Sequence, residues 1–392
     1  MSSRGAFLVL NAGSSSLKFA LFATEPTLVE TARGQVQNLG AAPHLRMRDA
    51  AGTMIAERRW PPGDTPNFET VLGALLTFTD AHLGSAGLGA VGHRVVHGGM
   101  DHAAPERVTP VLLRSLTAMI PLDPLHMPDD LAPIQALASA RPEVPQVVCF
   151  DTAFHQTMPL EAASFALERS ITDAGVRRYG FHGLSFEYVA STLAREAPPL
   201  ARGRVIAAHL GAGASLCAMA AGKSIATTFG FSVLDGLVMA TRCGSLDPGV
   251  IFYLARQGRT LDEIEDALYH RSGLLGVSDI SGDVRVLLAS DDPHAREALD
   301  LFTYRIGCEA GGLVSALEGI DGLIFTGGIG ENAPSIRDAV CRRLAWLGIR
   351  LDAAANARGA CVISAHESSV EVRVMATDEE AMIARHMQSV LG

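Results

Sequence analysis

Phe7-Leu-Val-Leu-Asn-Ala-Gly-Ser-Ser-Ser-Leu-Lys-Phe-Ala-Leu-Phe22 decides the fold. Phe7 to Leu10 is a short unbroken apolar run of the kind that fills a buried strand, and Asn11 to Ser16 is a turn. Leu17, Phe19 and Leu21 then fall on one side of Lys18 and Ala20, so Leu17 to Phe22 reads as a second strand with one face inward. Strand followed by strand is a hairpin. That separates the segment from a Walker loop, because the spacing GxxxxGK[ST] is missing and no helix follows. Its glycine, three hydroxyls and Lys18 form a donor-rich set able to wrap phosphate oxygens. A Gly/Ser turn on its own, however, often does no more than bend the chain.

The arrangement returns in the second half of the sequence. Val205-Ile-Ala-Ala-His-Leu210 is a strand, Gly211 to Ser215 a turn, and Leu216 to Ala220 a strand again. A repeated hairpin predicts two related domains facing one cleft, with the boundary near Phe150. Between the hairpins, Asn67 is placed to cap a helix whose apolar positions Phe68, Val71, Leu72, Leu75 and Leu76 have helical spacing. Pro145 precedes a strand, Val147 to Phe150, that delivers Asp151 at its carboxyl end, where open α/β sheets place ligand-binding groups. Further on, Gly322 to Thr326 is a strand, Gly327 to Gly330 a tight turn, and Asn332 the cap of a helix through Arg343. Val370 to Ala376 is a strand, and a C-terminal helix starts near Thr377. Alternating strands and helices make an α/β architecture.

A chain of 392 residues, 48% hydrophobic and 19% charged, suffices for two cores. The net charge of −10 argues against the broad basic face that nucleic acid or an anionic membrane would need, so an anionic substrate must be met by local arginines. The six cysteines are scattered without a CxxC pair or zinc-like spacing, which points to neither a disulfide framework nor a metal cage. No run reaches the roughly 18 apolar residues of a membrane span. The apolar stretch ending at Leu10 is too short for a signal peptide, so the expected location is the cytoplasm.

His93-Arg94-Val-Val-His97-Gly-Gly99 puts an arginine after an expected strand, beside glycines that admit a ligand to the backbone. Asp151-Thr-Ala-Phe-His155 and Arg178-Tyr-Gly-Phe-His182-Gly add an acid and a histidine, and Thr241-Arg242-Cys-Gly244 repeats the arginine-near-glycine theme. Taken singly, each such residue is more often a satisfied structural group than a catalyst. In Thr377-Asp-Glu379-Glu380, Thr377 and Glu380 have capping-box spacing, which accounts for Glu380. Glu379 has no such task; it either orients water on a metal ion or complements the helix dipole.

Together these segments resemble the acetate kinase family, within the larger group of actin-like, sugar-kinase and heat-shock ATPase folds. The likeness runs through Asn11-Ala-Gly-Ser-Ser-Ser-Leu-Lys18, His93 to Gly99, Phe150-Asp-Thr-Ala-Phe-His-Gln-Thr-Met-Pro159, Tyr179-Gly-Phe-His-Gly183, Thr241-Arg-Cys-Gly-Ser-Leu-Asp-Pro248 and Phe325-Thr-Gly-Gly-Ile-Gly-Glu-Asn332. It implies two duplicated actin-like (ribonuclease H-like) α/β domains with a central cleft. Residues 1–149 would bind acyl group and phosphate, residues 150–382 the nucleotide, and the helix 383–392 would pack back on the first domain. The implied reaction is reversible transfer of phosphoryl from ATP to acetate, giving acetyl phosphate and ADP, with Mg²⁺ or Mn²⁺ and in a homodimer.

The resemblance also implies roles. Asn11 and Glu379 would support the metal, and Ser14, Ser16 and Lys18 would lie near the phosphates. Arg94 and Arg242 would bind the acyl carboxylate and the phosphoryl group, His182 would stabilise that group in flight, and Asp151 would organise metal and arginines. Val96, Leu125, Phe181 and Val233 would line the acyl pocket. His209, Leu210, Gly211, Ala212 and Gly213 would border the nucleotide phosphates. Asp283, Val284 and Arg285 would hold ribose and adenine, and Gly328, Ile329, Gly330, Glu331 and Asn332 would close the nucleoside pocket.

The assignment agrees with the chemistry. In-line phosphoryl transfer needs positioning and charge neutralisation more than covalent help. A carboxylate nucleophile is already ionised at pH 7, so Asp151 serves better as an organiser than as a base. Ala212 departs from the family's usual asparagine, Val233 from a proline, Asp235 from a glutamate, Met100 and Met127 from polar residues, and Ala240 from a glycine. Val233 raises a rival of the same class, a propionate or butyrate kinase, since one methylene in an apolar pocket is worth only about 1–3 kcal/mol. A non-catalytic nucleotide switch of the same fold would need the phosphate turns but not Arg94, Arg242 and His182.

Overall fold

The computed structural model describes residues 5–13, 16–61, 63–64 and 66–392, which form two compact units, Met1–Ala153 with Asp378–Gly392, and Phe154–Thr377. The chain therefore returns to the first unit at Asp378, ahead of the residue 383 expected from sequence.

Eight strands build the sheet of the first unit: β1 Ala6–Gly13, β2 Ser16–Ala23, β3 Val29–Gln37, β4 His44–Asp49, β5 Met54–Arg59, β6 Leu88–Val95, β7 Glu106–Arg107 and β8 Gln146–Phe150. Their order is β5-β4-β3-β2-β1-β6-β8-β7. The hairpin read from sequence is its centre, with Asn11 opposite Lys18 and Gly13 opposite Ser16. Leu8, Leu10, Leu17, Phe19 and Leu21 pack with Val71, Leu72 and Leu75 of helix Phe68–Leu83 in one core. Asn67 caps that helix through a hydrogen bond from Thr70 N, as its spacing predicts.

The second unit carries β9 Arg204–Leu210, β10 Ala214–Ala220, β11 Lys223–Thr227, β12 Gly322–Thr326 and β13 Glu371–Val374, in the order β11-β10-β9-β12-β13. In each unit an antiparallel meander, of five strands in the first and three in the second, is extended by parallel strands added beside the first of them. The order β3-β2-β1-β6-β8 of one sheet thus matches β11-β10-β9-β12-β13 of the other. This repeated α/β topology is the duplication that the paired hairpins predict.

Three local expectations need correction. Gly327–Asn332 is a short helix and not a tight turn: Gly327 enters it at φ +78°, and the Glu331 carboxylate accepts from Gly327 N at 3.0 Å. Asn332 does not cap the next helix, Pro334–Arg343, which starts after Ala333, and its side chain donates back to Gly328 O. The C-terminal helix is Glu379–Leu391, capped by Asp378 through Ala381 N. Thr377 and Glu380 form no capping box, and the Thr377 hydroxyl is buried without a partner.

The C-terminal helix buries Met382, Ile383, Ala384 and Met387. A Cβ on Gly92 of β6 would lie 2.5 Å from Met387 Sδ and 2.7 Å from Ile383 Cγ2, so only glycine lets the helix lie this close to the strand. Among the described residues no helix is long and apolar enough to cross a membrane.

Candidate active site

In the first unit, β6 and β8 are parallel neighbours with Arg94 beside Cys149 and Val95 beside Phe150, which brings the strand ends together. Arg94 Nε and Nη2 donate to Asp151 Oδ2 at 3.0 and 2.5 Å. Asp151 is fully buried, and its N–H donates to Val95 O. Burial works against the charge on Arg94, but the fields of Asp151, Asp130 and Glu379 outweigh it and raise its pKa above the ordinary arginine value. The guanidinium is therefore a fixed cation. Val96 is buried just beyond, and Leu125 lies half-buried between Asp123 and His126, whose side chains pair at 2.9 Å.

A second cluster forms where the hairpin meets the C-terminal helix. Asn11 Nδ2 donates to Glu379 Oε2 at 2.9 Å and to Glu380 Oε1 at 3.2 Å, and Lys18 stands opposite Asn11 on β2. Burial raises the Glu380 pKa, the neighbouring Glu379 adds to the rise, and Lys18 opposes it. Sequence reasoning gave Glu380 to helix capping; the structure turns it into this cluster. Two carboxylates are hard oxygen donors that suit Mg²⁺. No group of three or more His, Cys, Asp or Glu side chains that could cage a metal occurs among the described residues, so the donor set fits an ion that brings phosphate and water ligands of its own. Ser16 flanks the hairpin turn, and Ser14 lies outside the described residues.

In the second unit His182 heads helix Gly183–Glu196 with φ +59°, a left-handed conformation uncommon for a non-glycine residue. Its ring stacks on His209, centroids 4.2 Å apart. Ser215 Oγ is hydrogen-bonded to His182 Nδ1 at 2.9 Å and Ser185 Oγ to His209 Nδ1 at 2.8 Å, which fixes both rings. A Cβ on Gly213 would lie 3.2 Å from His182 Nε2 and 3.4 Å from Arg242 Nη2, so the duplicated turn, His182 and Arg242 meet at one point. Arg242 Nη1 donates to Val233 O at 2.7 Å. Phe181 and Val233 are buried, Phe181 with its ring edge on Phe229.

A pocket of about 600 Å³ opens in the same unit. Gly211, Ala212, Asp283, Val284, Arg285, Gly328, Ile329 and Asn332 line it, joined by Ala240, Gly282, Leu288 and Ala333, which sequence reasoning did not place there. Ala240 N donates to Ala212 O, so these two unusual alanines are neighbours. Asp283 caps the short helix Val284–Leu288 and holds the Arg285 guanidinium at 2.6 Å. Leu210, Gly330 and Glu331 are not in the wall: Leu210 and Gly330 are buried behind it, and Glu331 turns to Gly327 N.

Arg337 also went unseen in the sequence. It is 1% exposed, with Nη1 donating to Gly330 O and Glu331 O, Nε to Asn356 Oδ1 and Nη2 to Asn356 O, all within 2.9 Å. It holds the carbonyl end of helix Gly327–Asn332, one wall of the pocket. The other conspicuous histidines keep their bland reading. His93 is paired with Gln146, His97 accepts from Gly99 N, and His155 spans Ser224 and Phe181 O; burial lowers each pKa to about 4.

Comparison with known proteins agrees along nearly the whole chain. Residues 6–385 match the acetokinase family. An acetate kinase of Rhodopseudomonas palustris is 52% identical over 387 residues, which covers 97% of each chain. Among solved structures, a propionate kinase from Francisella tularensis superposes with a TM-score of 0.92 at 35% identity, covering 98% of this chain and 100% of that one. Porphyromonas gingivalis acetate kinase superposes with 0.87 at 36% identity, covering 99% and 100%.

Proposed function

Because the chain belongs to the acetokinase family, we propose that it transfers the terminal phosphoryl group of ATP to acetate, reversibly, giving acetyl phosphate and ADP. The observation that carries the choice of acceptor is the Arg94–Asp151 pair. A kinase acting on a hydroxyl profits from a carboxylate base, and here the buried acid at the strand end is committed to holding an arginine. A carboxylate acceptor needs no base and is attracted by that arginine.

In this assignment Arg94 receives the acceptor carboxylate, and Val96, Leu125, Phe181 and Val233 are the apolar contacts assigned to the acyl group. Arg242 and His182 neutralise charge on the phosphoryl group as it moves, donors that are already oriented when the reaction begins. Ser16 and Lys18, with Ser14, serve phosphate oxygens. His209 and the Gly211–Gly213 turn border the nucleotide phosphates, and the pocket of Asp283, Arg285, Gly328 and Asn332 takes the nucleoside. Asn11, Glu379 and Glu380 would hold Mg²⁺ or Mn²⁺, which when bound neutralises phosphate charge.

Two further assignments concern partners and place. A second copy of the chain is the partner for helix Pro248–Arg256, which buries none of its own residues and leaves Phe252 61% and Tyr253 60% exposed. The cytoplasm suits an ATP-using protein whose six cysteines all keep their thiols.

Trapping the acyl phosphate with hydroxylamine, with ATP as donor and acetate, propionate and butyrate as acceptors, tests the reaction. Acetate should give the highest kcat/KM. A clear preference for propionate or butyrate would select the second reading, which the valine at position 233 favours. Slow ATP hydrolysis with no acyl phosphate from any acid would overturn both.

A further inference from the structure

Asp130 is a buried titratable group that the mechanism above leaves idle. It stands in the first turn of helix Met127–Ala140, is 2% exposed, and its Oδ2 accepts a 2.7 Å hydrogen bond from Val96 N, two residues beyond Arg94. The charged and titratable groups bearing on it are Arg94 from β6, Asp151 from the end of β8, and His126 at the head of its own helix. Arg94 in turn feels Asp151, Asp130 and Glu379. One guanidinium cannot offset three acids, and an incoming acceptor carboxylate would be a fourth.

We propose, resting on the assignment of Arg94 to the acceptor carboxylate, that Asp130 is a positioning residue. It fixes Val96 by a hydrogen bond and sets, by its charge, how strongly Arg94 attracts the acceptor. Its neighbour Asp129 is more exposed and accepts no such bond, so the two adjacent acids differ in role as well as in burial. Burial pushes the Asp130 pKa up to about 7, with Arg94 opposing the rise. Its charge therefore appears within the physiological range. Below that value Asp130 is neutral and the acceptor meets a weaker opposing field; above it the carboxylate is ionised and the acceptor is repelled. The hydrogen bond to Val96 N survives in both states, because an oxygen is the acceptor in each. Acceptor affinity should thus fall as pH rises, with little change in the chemical step.

The test is the acetate KM of the whole enzyme with Mg²⁺ and saturating ATP, followed by coupled ADP release from about pH 6 to about pH 8.5, a window that spans this titration and leaves acetate ionised. The wild-type KM should rise about three- to tenfold across the range, as a coupling of about half to one pKa unit dictates, while kcat at saturating acetate changes less than about twofold. Asp130→Asn keeps an acceptor for Val96 N but has no charge: its KM should be flat and near the wild-type value at low pH. Asp130→Ala loses the bond as well, so its KM should be flat and raised. Equal slopes in wild type and Asp130→Asn would overturn the proposal. Should Asp130→Asn fail to fold, the wild-type profile decides, and a flat one overturns it. A wild type that phosphorylates no short acid removes instead the function on which the inference rests, a distinct outcome because there is then no acetate KM to measure.

Discussion

Replacing Arg337 with methionine separates a held pocket wall from a merely adjacent one. The methionine fills much of the volume of the arginine stem but leaves four acceptors, the carbonyls of Gly330, Glu331 and Asn356 and the Asn356 side-chain oxygen, without this donor in a buried or partly buried setting. At about 1–3 kcal/mol per stranded acceptor the gross loss is roughly 4–12 kcal/mol. Against it stands relief of several kcal/mol, because a buried cation with no carboxylate among its partners is no longer desolvated. A net destabilisation of about 3–5 kcal/mol follows, typical of breaking a buried charged network. Urea unfolding followed by circular dichroism measures it. In the surviving folded enzyme the KM for ATP should rise about tenfold, the effect of about 1.4 kcal/mol, with the acetate KM less affected. A loss below about 1 kcal/mol, or a stability loss of the expected size with an unchanged ATP KM, would refute the claim that Arg337 holds helix Gly327–Asn332 for the nucleotide.

Arg242→Ala should lower kcat by at least about two orders of magnitude, as removal of a donor to developing charge does, and wild-type turnover would remove it from the mechanism. Glu380→Gln should weaken Mn²⁺ binding, read by electron paramagnetic resonance, by about tenfold, and unchanged affinity would return Glu380 to a structural role. His93, His97 and His155 have native pKa values near 4 against an ordinary 6.5. Their neutral forms stabilise the fold fully above pH 6.5, and that stability is lost as pH falls towards 4, because the unfolded chain takes up protons first. Denaturation midpoints should therefore drop through that window, and His155→Asn should reduce the slope; an unchanged slope would deny His155 its part.

The hairpins, their duplication and the Asn67 cap were legible because each rests on local pattern: apolar alternation, turn residues and a capping side chain. Helix Gly327–Asn332 was not, since three glycines in four residues favour a turn. A carboxylate from Glu331 at one end and Arg337 at the other override that preference. Thr377 has capping-box spacing to Glu380, but its hydroxyl is buried and Asp378 caps the helix through Ala381 N instead. Arg337 shares a helix with Arg342 and Arg343, and Asp130 sits beside Asp129; nothing in sequence says which one turns inward. The motifs at Arg94, Asp151, His182 and Arg242 stood out because glycines and strand ends surround them, whereas residues that hold such groups in place sit in unremarked helices.

The helix Glu379–Leu391 has a consequence for synthesis. The ribosome delivers β1 hundreds of residues before this helix, yet Met387 and Ile383 fill the surface of β6 against Gly92, and Glu379 completes the cluster around Asn11. The strands of the first unit must therefore wait, with an apolar patch uncovered, until the second unit has been made as well. A chain cut short before Asp378 would lack both the cover of that patch and the two carboxylates beside Asn11, leaving exposed apolar surface of the kind that drives chains to clump.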